Sequence, residues 1–536
     1  MRVVDVVAET LANFGAKRAF GMPGGEVLTL IDALNAAGVR FILARNENAA
    51  AIMAAGATIA DDELGVLVTT LGPGLANAVN GIADASQEHV PLIVLSGVVD
   101  HVVRGRYTHQ VIDHRALLRP VVKGCFEVEP GSVAAVTARA ATLATTTPQG
   151  PVLIEIAPGT ARMPAPPGDE AWTPPVVFKS APSRDDETIQ QIRGRLASAQ
   201  RPLVIAGFDA ARANASEPLR ALAETLGAPV ITTYKAKGVL PETHPLSLGA
   251  AGLSPLADRH LLPLAKLADV VLLVGYDPIE MRQGWLDPFG HAADVIGLDA
   301  SVPDHGMHRV SARLEGDIAA NLSALAQGIE SNDGWVEKQP QAVKAALEEA
   351  FAVSSAWGPH AVIAALEQHL TEKTTVTVDS GAHRILLSQM LKIGQPFGLL
   401  QSAGFCTMGA ALPLALGVKS VKPDRSVIAV LGDGGLEMGI GELATLRDQN
   451  LPIVLIVFQD ESLALIDLKQ RQSNLREAGV RLGRTAYEDV ARAFGGRGER
   501  VSSVADFEAA LNAALQADEF SIIVCNIKAS DYVESI

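Results

Sequence analysis

One alternation recurs three times along the chain: a short run of apolar, β-favouring residues, then an Ala-rich stretch with helical spacing. Between residues 1 and 165 the apolar runs are RAFGM, RFILA, LGVLVTT, PLIVLSG and PVLIEIA. Short runs of this kind separated by helices predict parallel βαβ units covered on both faces. The opening MRVVDVVAETLANFG carries Asp5 and Glu9 inside its apolar stretch and reads as an amphipathic helix, not a signal peptide. From Met163 to Ser183 the chain is Pro-rich and aperiodic, which marks a linker. A second block over 184–330 carries PLVIAG, PVITT, VVLLVG and DVIGLD as strands, and a polar helical pattern follows around 328–360. The third block, 350–536, holds TTVTVDSG, RSVIAVLGDGG, LPIVLIVFQD and FSIIVCNIKAS. The expected fold is α/β: three doubly wound parallel-sheet domains, with ligands at the carboxyl ends of the strands.

Composition narrows the function. Of 536 residues, 48% are hydrophobic and 19% charged, so large cores are expected and a disordered chain is excluded. Lys plus Arg total 44 against 60 Asp plus Glu, a net charge of −16, which argues against nucleic acid as a partner and leaves small anionic substrates open. Cys125, Cys406 and Cys525 lie far apart without a CxxC spacing, so neither a disulfide framework nor a zinc site is expected, and a cytoplasmic location is. Phe397 to Val418 runs 22 residues without a charge but contains Gly398, Gly404, Gly409, Pro413 and Gly417. It reads as a buried glycine-rich loop feeding a helix, and no membrane partner is expected.

The most informative stretch is RSVIAVLGDGGLEMGIGELATLRDQNLPIVLIVFQDESLALI. An apolar strand ends in Gly432-Asp433-Gly434-Gly435, a helix is expected from about Glu437, and a second strand ends at Gln459-Asp460-Glu461-Ser462. Two strand-end carboxylates of one βαβ unit can converge, and with a loop carbonyl and a diphosphate they complete an oxygen shell for Mg2+. Taken alone, Asp-Gly at a strand end is an ordinary turn; its weight comes from the second acidic strand end.

At this point the chain resembles the thiamine diphosphate enzymes of the acetolactate synthase, pyruvate oxidase and benzoylformate decarboxylase family. Phe20-Gly21-Met22-Pro23-Gly24-Gly25 resembles the family's F-G-x-P-G turn, Arg45-Asn46-Glu47-Asn48-Ala49-Ala50 its R-H-E-x-A-A, and Thr70-Leu71-Gly72-Pro73-Gly74 its T-x-G-P-G. Lys237-Gly238 through Pro245 resembles K-G-x-x-P-x-x-H-P, and Ser402-Ala403-Gly404 through Met408-Gly409 resembles S-x-G-x-x-x-M-G. The resemblance covers nearly the whole chain.

It implies the following roles. Glu47 hydrogen-bonds the cofactor's pyrimidine and drives loss of the thiazolium C2 proton, and the apolar helix after it is expected to dehydrate the carboxyl group and raise its pKa. Met408 is the apolar support on which the cofactor bends, and Pro23, Gly24 and Gly72 line its pyrimidine end. Gly381 and His383 meet the diphosphate with Gly432, Gly434 and Gly435, although His383 also reads as a solvent-facing histidine. Asp433, Asp460 and the Ser462 carbonyl hold Mg2+. Counting back from Arg119-Pro120, Gln110 matches a glutamine facing the reacting centre, and His109 is assigned to proton transfer; a polar loop at a domain edge is the plainer reading. In this family Glu47 serves the cofactor held by a neighbouring chain's third block, so a homodimer or homotetramer with shared active sites is implied.

The sequence also departs from the family. Gln459-Asp460 replaces a pair of Asn, adding a negative charge beside the diphosphate. Gly25 stands where simple decarboxylases carry an acid, and no His-His pair occupies residues 109–114. Both absences favour passing the acyl carbanion to an acceptor, or cleaving a ketol, over releasing an aldehyde. Glu26 and Cys406 fill positions that are usually small. The resemblance implies a Mg2+-dependent carbon–carbon lyase or carboligase on a 2-oxo acid, acetolactate synthase-like; cleavage of a diketone or acyloin (a ketol), or a pyruvate oxidase-like flavin reaction, are its alternatives. The middle block has turn glycines at Gly207 and Gly275 but no G-x-G-x-x-G, which leaves FAD, ADP or an empty groove open.

Overall fold

A computed structural model describes residues 1–176, 186–279, 281–303, 305–330, 334–353 and 356–532. The final residues of the expected linker, 177–183, and the first two of the expected middle block, 184 and 185, lie outside that set.

The first sheet contains β1 (Arg18–Gly21), β2 (Arg40–Leu43), β3 (Gly65–Thr69), β4 (Leu92–Gly97), β5 (Cys125–Glu127) and β6 (Pro151–Ile156). The second contains β7 (Pro202–Ala206), β8 (Val230–Thr232), β9 (Ser247–Ala250), β10 (Val270–Val274), β11 (Asp294–Asp299) and β12 (Ala312–Glu315). The third contains β13 (Thr374–Val378), β14 (Leu399–Gln401), β15 (Ser426–Gly432), β16 (Val454–Gln459), β17 (Arg497–Val501) and β18 (Ser521–Asn526). Every strand pairing within the three sheets is parallel, as expected of an α/β chain. The fold class expected from the sequence is the one observed.

Strand order separates the sheets into two kinds. The first runs β2-β1-β3-β4-β6-β5 and the third β14-β13-β15-β16-β18-β17, the same order when each is counted from its own first strand. The middle sheet runs β12-β11-β10-β7-β8-β9, the order of dinucleotide-binding sheets. In both kinds the connection reverses direction between two central strands, and the crevice opened there is where such sheets bind ligands. The reversal falls between β1 and β3, between β7 and β10, and between β13 and β15.

Apolar cores join the blocks. The helix Glu47–Asp61 buries Ala49, Ala50, Met53, Ala54 and Ala57 in one cluster with Ala411, Leu412, Ala415, Leu416 and Val418 of the helix Ala411–Val421. Small residues let these helices approach until a Cβ on Gly417 would overlap the carbonyl of Met53. Middle and third blocks share another cluster, in which Val271 and Leu273 are gathered with Val376, Val378 and Ile428. The charge-free segment 397–418 resolves into β14, a loop with Phe405 and Cys406 exposed, and the start of the Ala411–Val421 helix, so only its ends are buried as the sequence implies. No helix among the described residues is long and apolar enough to cross a membrane.

Candidate active site

In the first sheet the reversal brings two turns together. Pro23 and Gly24 follow β1, and a Cβ on Gly24 would overlap the methyl of Thr70 beyond β3. Gly72, with φ +62°, is the N-cap of the helix Pro73–Gln87, a backbone state that glycine adopts without strain. Its N–H donates to Nε2 of buried His114 at 3.1 Å, and Nδ1 of that ring lies 3.5 Å from Glu155 Oε1. Glu47 opens its helix behind Asn46, whose side chain caps the Asn48 N–H at 2.8 Å. The Glu47 carboxylate accepts a hydrogen bond from Asn77 Nδ2 at 2.7 Å and lies beside Gly74. Its helix buries residues 49 to 58 while Glu47 itself is half-buried, so the apolar run packs the helix rather than enclosing the carboxylate.

In the third sheet the reversal gathers Asp379, Gly381 and His383 against Gly432-Asp433-Gly434-Gly435. The helix after β15 begins at Asp433, earlier than the sequence suggests, because an acid in the first turn is favoured by the helix dipole. Asp433 Oδ1 takes the N–H of Gly434 at 2.9 Å, and its Oδ2 takes that of Glu461 at 2.7 Å. Burial pushes the Asp433 carboxyl up to about 6. Asp460, at the end of β16, is pushed up to about 7 by burial and by the charge of Asp433. Ser462 folds back on it, donating from N at 3.0 Å and from Oγ at 2.8 Å to Asp460 Oδ1. Gln459 is engaged elsewhere, by Thr485 O at 3.0 Å and Arg500 Nη1 at 2.6 Å.

His383 is buried beside Gly381 and Gly432 rather than facing solvent, and burial lowers its pKa to about 4. Its Nε2 is buried without a hydrogen-bond partner among the described residues. Asp379 escaped the sequence reading. Burial pushes it up to about 6 while it accepts the N–H groups of Gly409 at 3.0 Å and Ala410 at 2.9 Å, the two residues after Met408. A Cβ on Gly435 would overlap this carboxylate, which is why the GDGG turn needs its last glycine. The signal was available: TTVTVD ends in an acid, as does the strand before Gly434. The Met408 methyl lies 3.7 Å from where a Gly434 Cβ would stand, so the proposed support reaches the GDG turn.

The remaining two candidates are placed differently. The carbonyl of Gln110 (φ +58°) closes on Gly72, while the residue is exposed. His109 is also exposed, its ring edge-on to Tyr107 at 6.3 Å. Asn77 and His114, which hold Glu47 and Gly72, were not found from sequence; neither belongs to a motif, and contact alone reveals them.

The fold and both crevices define a cofactor-binding enzyme of two matching sheets. Residues 1–117 match "Thiamine pyrophosphate enzyme, N-terminal TPP binding domain", 189–325 its central domain and 379–525 its C-terminal TPP binding domain. The chain belongs to the thiamine pyrophosphate (thiamine diphosphate) enzyme family. It is 30% identical to a probable acetolactate synthase large subunit of Methanocaldococcus jannaschii, across 97% of this chain and 90% of that one. It is 28% identical to an acetolactate synthase of Bacillus subtilis, across 99% and 94%, and 29% identical to the acetolactate synthase isozyme 3 large subunit of Escherichia coli, across 96% and 92%. The third sheet fits a diphosphate: the buried His383 Nε2 without a partner among the described residues and the close-packed glycine turn at Gly432 to Gly435 would meet its phosphates.

Proposed function

We propose that the chain is a Mg2+-assisted carboligase that decarboxylates a 2-oxo acid and passes the acyl unit to an acceptor, as its relatives' name, acetolactate synthase, suggests. The observation that carries this reading is the pair of Asp433, buried and raised by burial, and half-buried Asp460, raised by burial and by repulsion from Asp433, beside a His383 Nε2 without a partner among the described residues. A divalent cation would relieve that repulsion. Two carboxylates fall short of an oxygen shell, which the Ser462 carbonyl and a diphosphate would complete.

Thiamine diphosphate supplies the electron sink for the acyl carbanion when bound. The chain's own residues then divide the work. Glu47, steadied by Asn77, would hydrogen-bond the pyrimidine and carry the proton exchanged with it. Met408 would support the cofactor, and His383 with Gly381, Gly432, Gly434 and Gly435 would hold its phosphates. Gln110 and His109 are assigned to the acyl intermediate and to proton transfer, with Pro23, Gly24 and Gly72 closing the pyrimidine end. Glycine at position 25 favours transfer over protonation, since that position carries no acid side chain of its own.

The middle crevice is a cavity of about 730 Å3 lined by Phe208, Asp209, Arg212, Tyr276 and Asp299, among others. Its sheet order and size suit FAD or ADP. We place the enzyme in the cytoplasm as a homodimer or homotetramer with shared sites, built from domains 1–165, 184–330 and 350–536.

The deciding experiment incubates the protein with thiamine diphosphate, Mg2+ and pyruvate, 2-oxobutyrate, acetoin or a cyclic diketone, and identifies products. Acetolactate-type products with CO2 are expected. Cleavage of the ketol or diketone, or substrate-reduced yellow flavin, would replace the carboligase reading with one of its alternatives.

A further inference from the structure

The loop between β14 and the Ala411–Val421 helix carries Met408, and it is gripped from outside its own block. Glu88, just past the Pro73–Gln87 helix, accepts the backbone N–H of Ala403 at 2.7 Å and of Gly404 at 2.6 Å on Oε1. Its Oε2 lies 2.9 Å from Nζ of Lys235 in the middle block. The two side chains are 4% and 6% exposed, so this pair is held out of water. The Lys235 ammonium also lies 4.3 Å over the ring of Phe208. Further back along the same helix, Asp84 accepts a hydrogen bond from Ser402 Oγ, which in turn accepts the Thr407 N–H at 2.9 Å. Asn80 Nδ2 donates to Thr407 Oγ1 at 2.9 Å, and one turn earlier Asn77 holds Glu47. One helix thus grips the Glu47 carboxylate near its start and the Met408 loop along the rest of its length.

We propose that Lys235 is a positioning residue for catalysis: by holding Glu88 it fixes the Ala403–Gly404 amides, and with them the stance of Met408 against the cofactor. The inference rests on the reading of Met408 as the support of the bent cofactor. Removing Lys235 would leave a carboxylate buried without its cation, and such a charge draws in water or moves its partners. The loop that depends on Glu88 would shift with it. A displacement of about 1 Å at a reacting centre costs on the order of 100-fold in rate.

The test uses the full-length, cofactor-loaded enzyme as wild type, Lys235→Met, Lys235→Arg, Lys235→Met/Glu88→Gln and Met408→Ala. Measured for each are kcat, KM for pyruvate, melting temperature, and the hydrogen–deuterium exchange rate at C2 of the bound cofactor. Lys235→Met is expected to lower kcat and C2 exchange by about 10- to 100-fold while KM changes by less than about three-fold. Lys235→Arg should restore most of the loss, because it keeps a cation in reach of Glu88. The double variant, which removes both charges and keeps an amide oxygen for the two N–H groups, should recover part of it but stay well below the wild type. It also keeps the test open if Lys235→Met does not fold. Normal exchange and kcat in Lys235→Met or in the double variant with a lowered melting temperature would reduce the pair to a structural tie and overturn the inference. If Met408→Ala leaves C2 exchange unchanged, the Met408 reading and this inference fall together. If Met408→Ala slows exchange and Lys235→Met does not, the inference alone falls.

Discussion

Asp433 and Asp460 sit at the ends of adjacent strands, where burial and like charge raise both above the ordinary carboxylate range, to about 6 and about 7. A carboxyl group whose folded pKa is raised contributes stability that is full below its unfolded pKa and lost as pH rises through the folded one. Titration of the pair should therefore lower the melting temperature of the metal-free protein between about pH 5 and about pH 8, against the opposite contribution of His383 and His308, read by calorimetry. Asp460→Asn should flatten that fall, and Mg2+ at the higher pH should raise the melting temperature of the wild type more than that of the variant. The same variant should need less Mg2+ for half-maximal cofactor binding; unchanged Mg2+ dependence would remove Asp460 from the metal site. Glu47→Gln keeps the shape and the Asn77 contact but cannot move the proton. It is expected to lower kcat by about 100- to 10,000-fold with cofactor binding retained, measured by steady-state assay and by titration of the cofactor. At this scale motif residues are legible because each combines an unusual residue type with a strand end, a helix start or a glycine-rich loop. Asp379, Asn77 and His114 are not, since their meaning lies in what they touch: two amides after Met408, a carboxylate and a glycine N–H.

Strands differ in how plainly they show in the sequence, and the difference has a physical cause. Central strands such as β3, β10 and β16 are buried along their whole length and show as unbroken apolar runs. The strands absent from the sequence reading are β5, β9, β12, β14 and β17, and each is an edge strand in its sheet. An edge strand has one neighbour and is often half-covered, so RGERV of β17 or ARLE of β12 carries charge where a central strand could not. Helix contact is set as tightly as strand pairing. A Cβ on Gly417 would overlap the Met53 carbonyl across the joint between first and third blocks. Gly417→Ala is expected to destabilise the protein by about 1–3 kcal/mol despite its better helix propensity, read from denaturant unfolding. A neutral or stabilising result would mean that the two helices can part without cost.

For the whole molecule, the shared order of the first and third sheets places Glu47 and the Asp433–Asp460 pair in corresponding crevices of two different sheets. If one cofactor spans a first block and a neighbour's third block, mixing two inactive variants, Glu47→Gln and Asp433→Asn, should regenerate activity. In a mixed dimer one of the two sites would carry both intact residues, giving half the wild-type rate. No recovery after subunit exchange would place the whole site within one chain. The amino-acid sequence by itself determined the parallel α/β character, the three blocks and the acidic strand ends, because periodicity, composition and the chemistry of turns act over a few residues. Only the tertiary structure decided the strand orders, the crevices they open, the burial that raises Asp433 and Asp460, and the Lys235–Glu88 grip on a loop of the third block. Those depend on residues far apart in the chain being packed out of water together, and no local pattern encodes that distance.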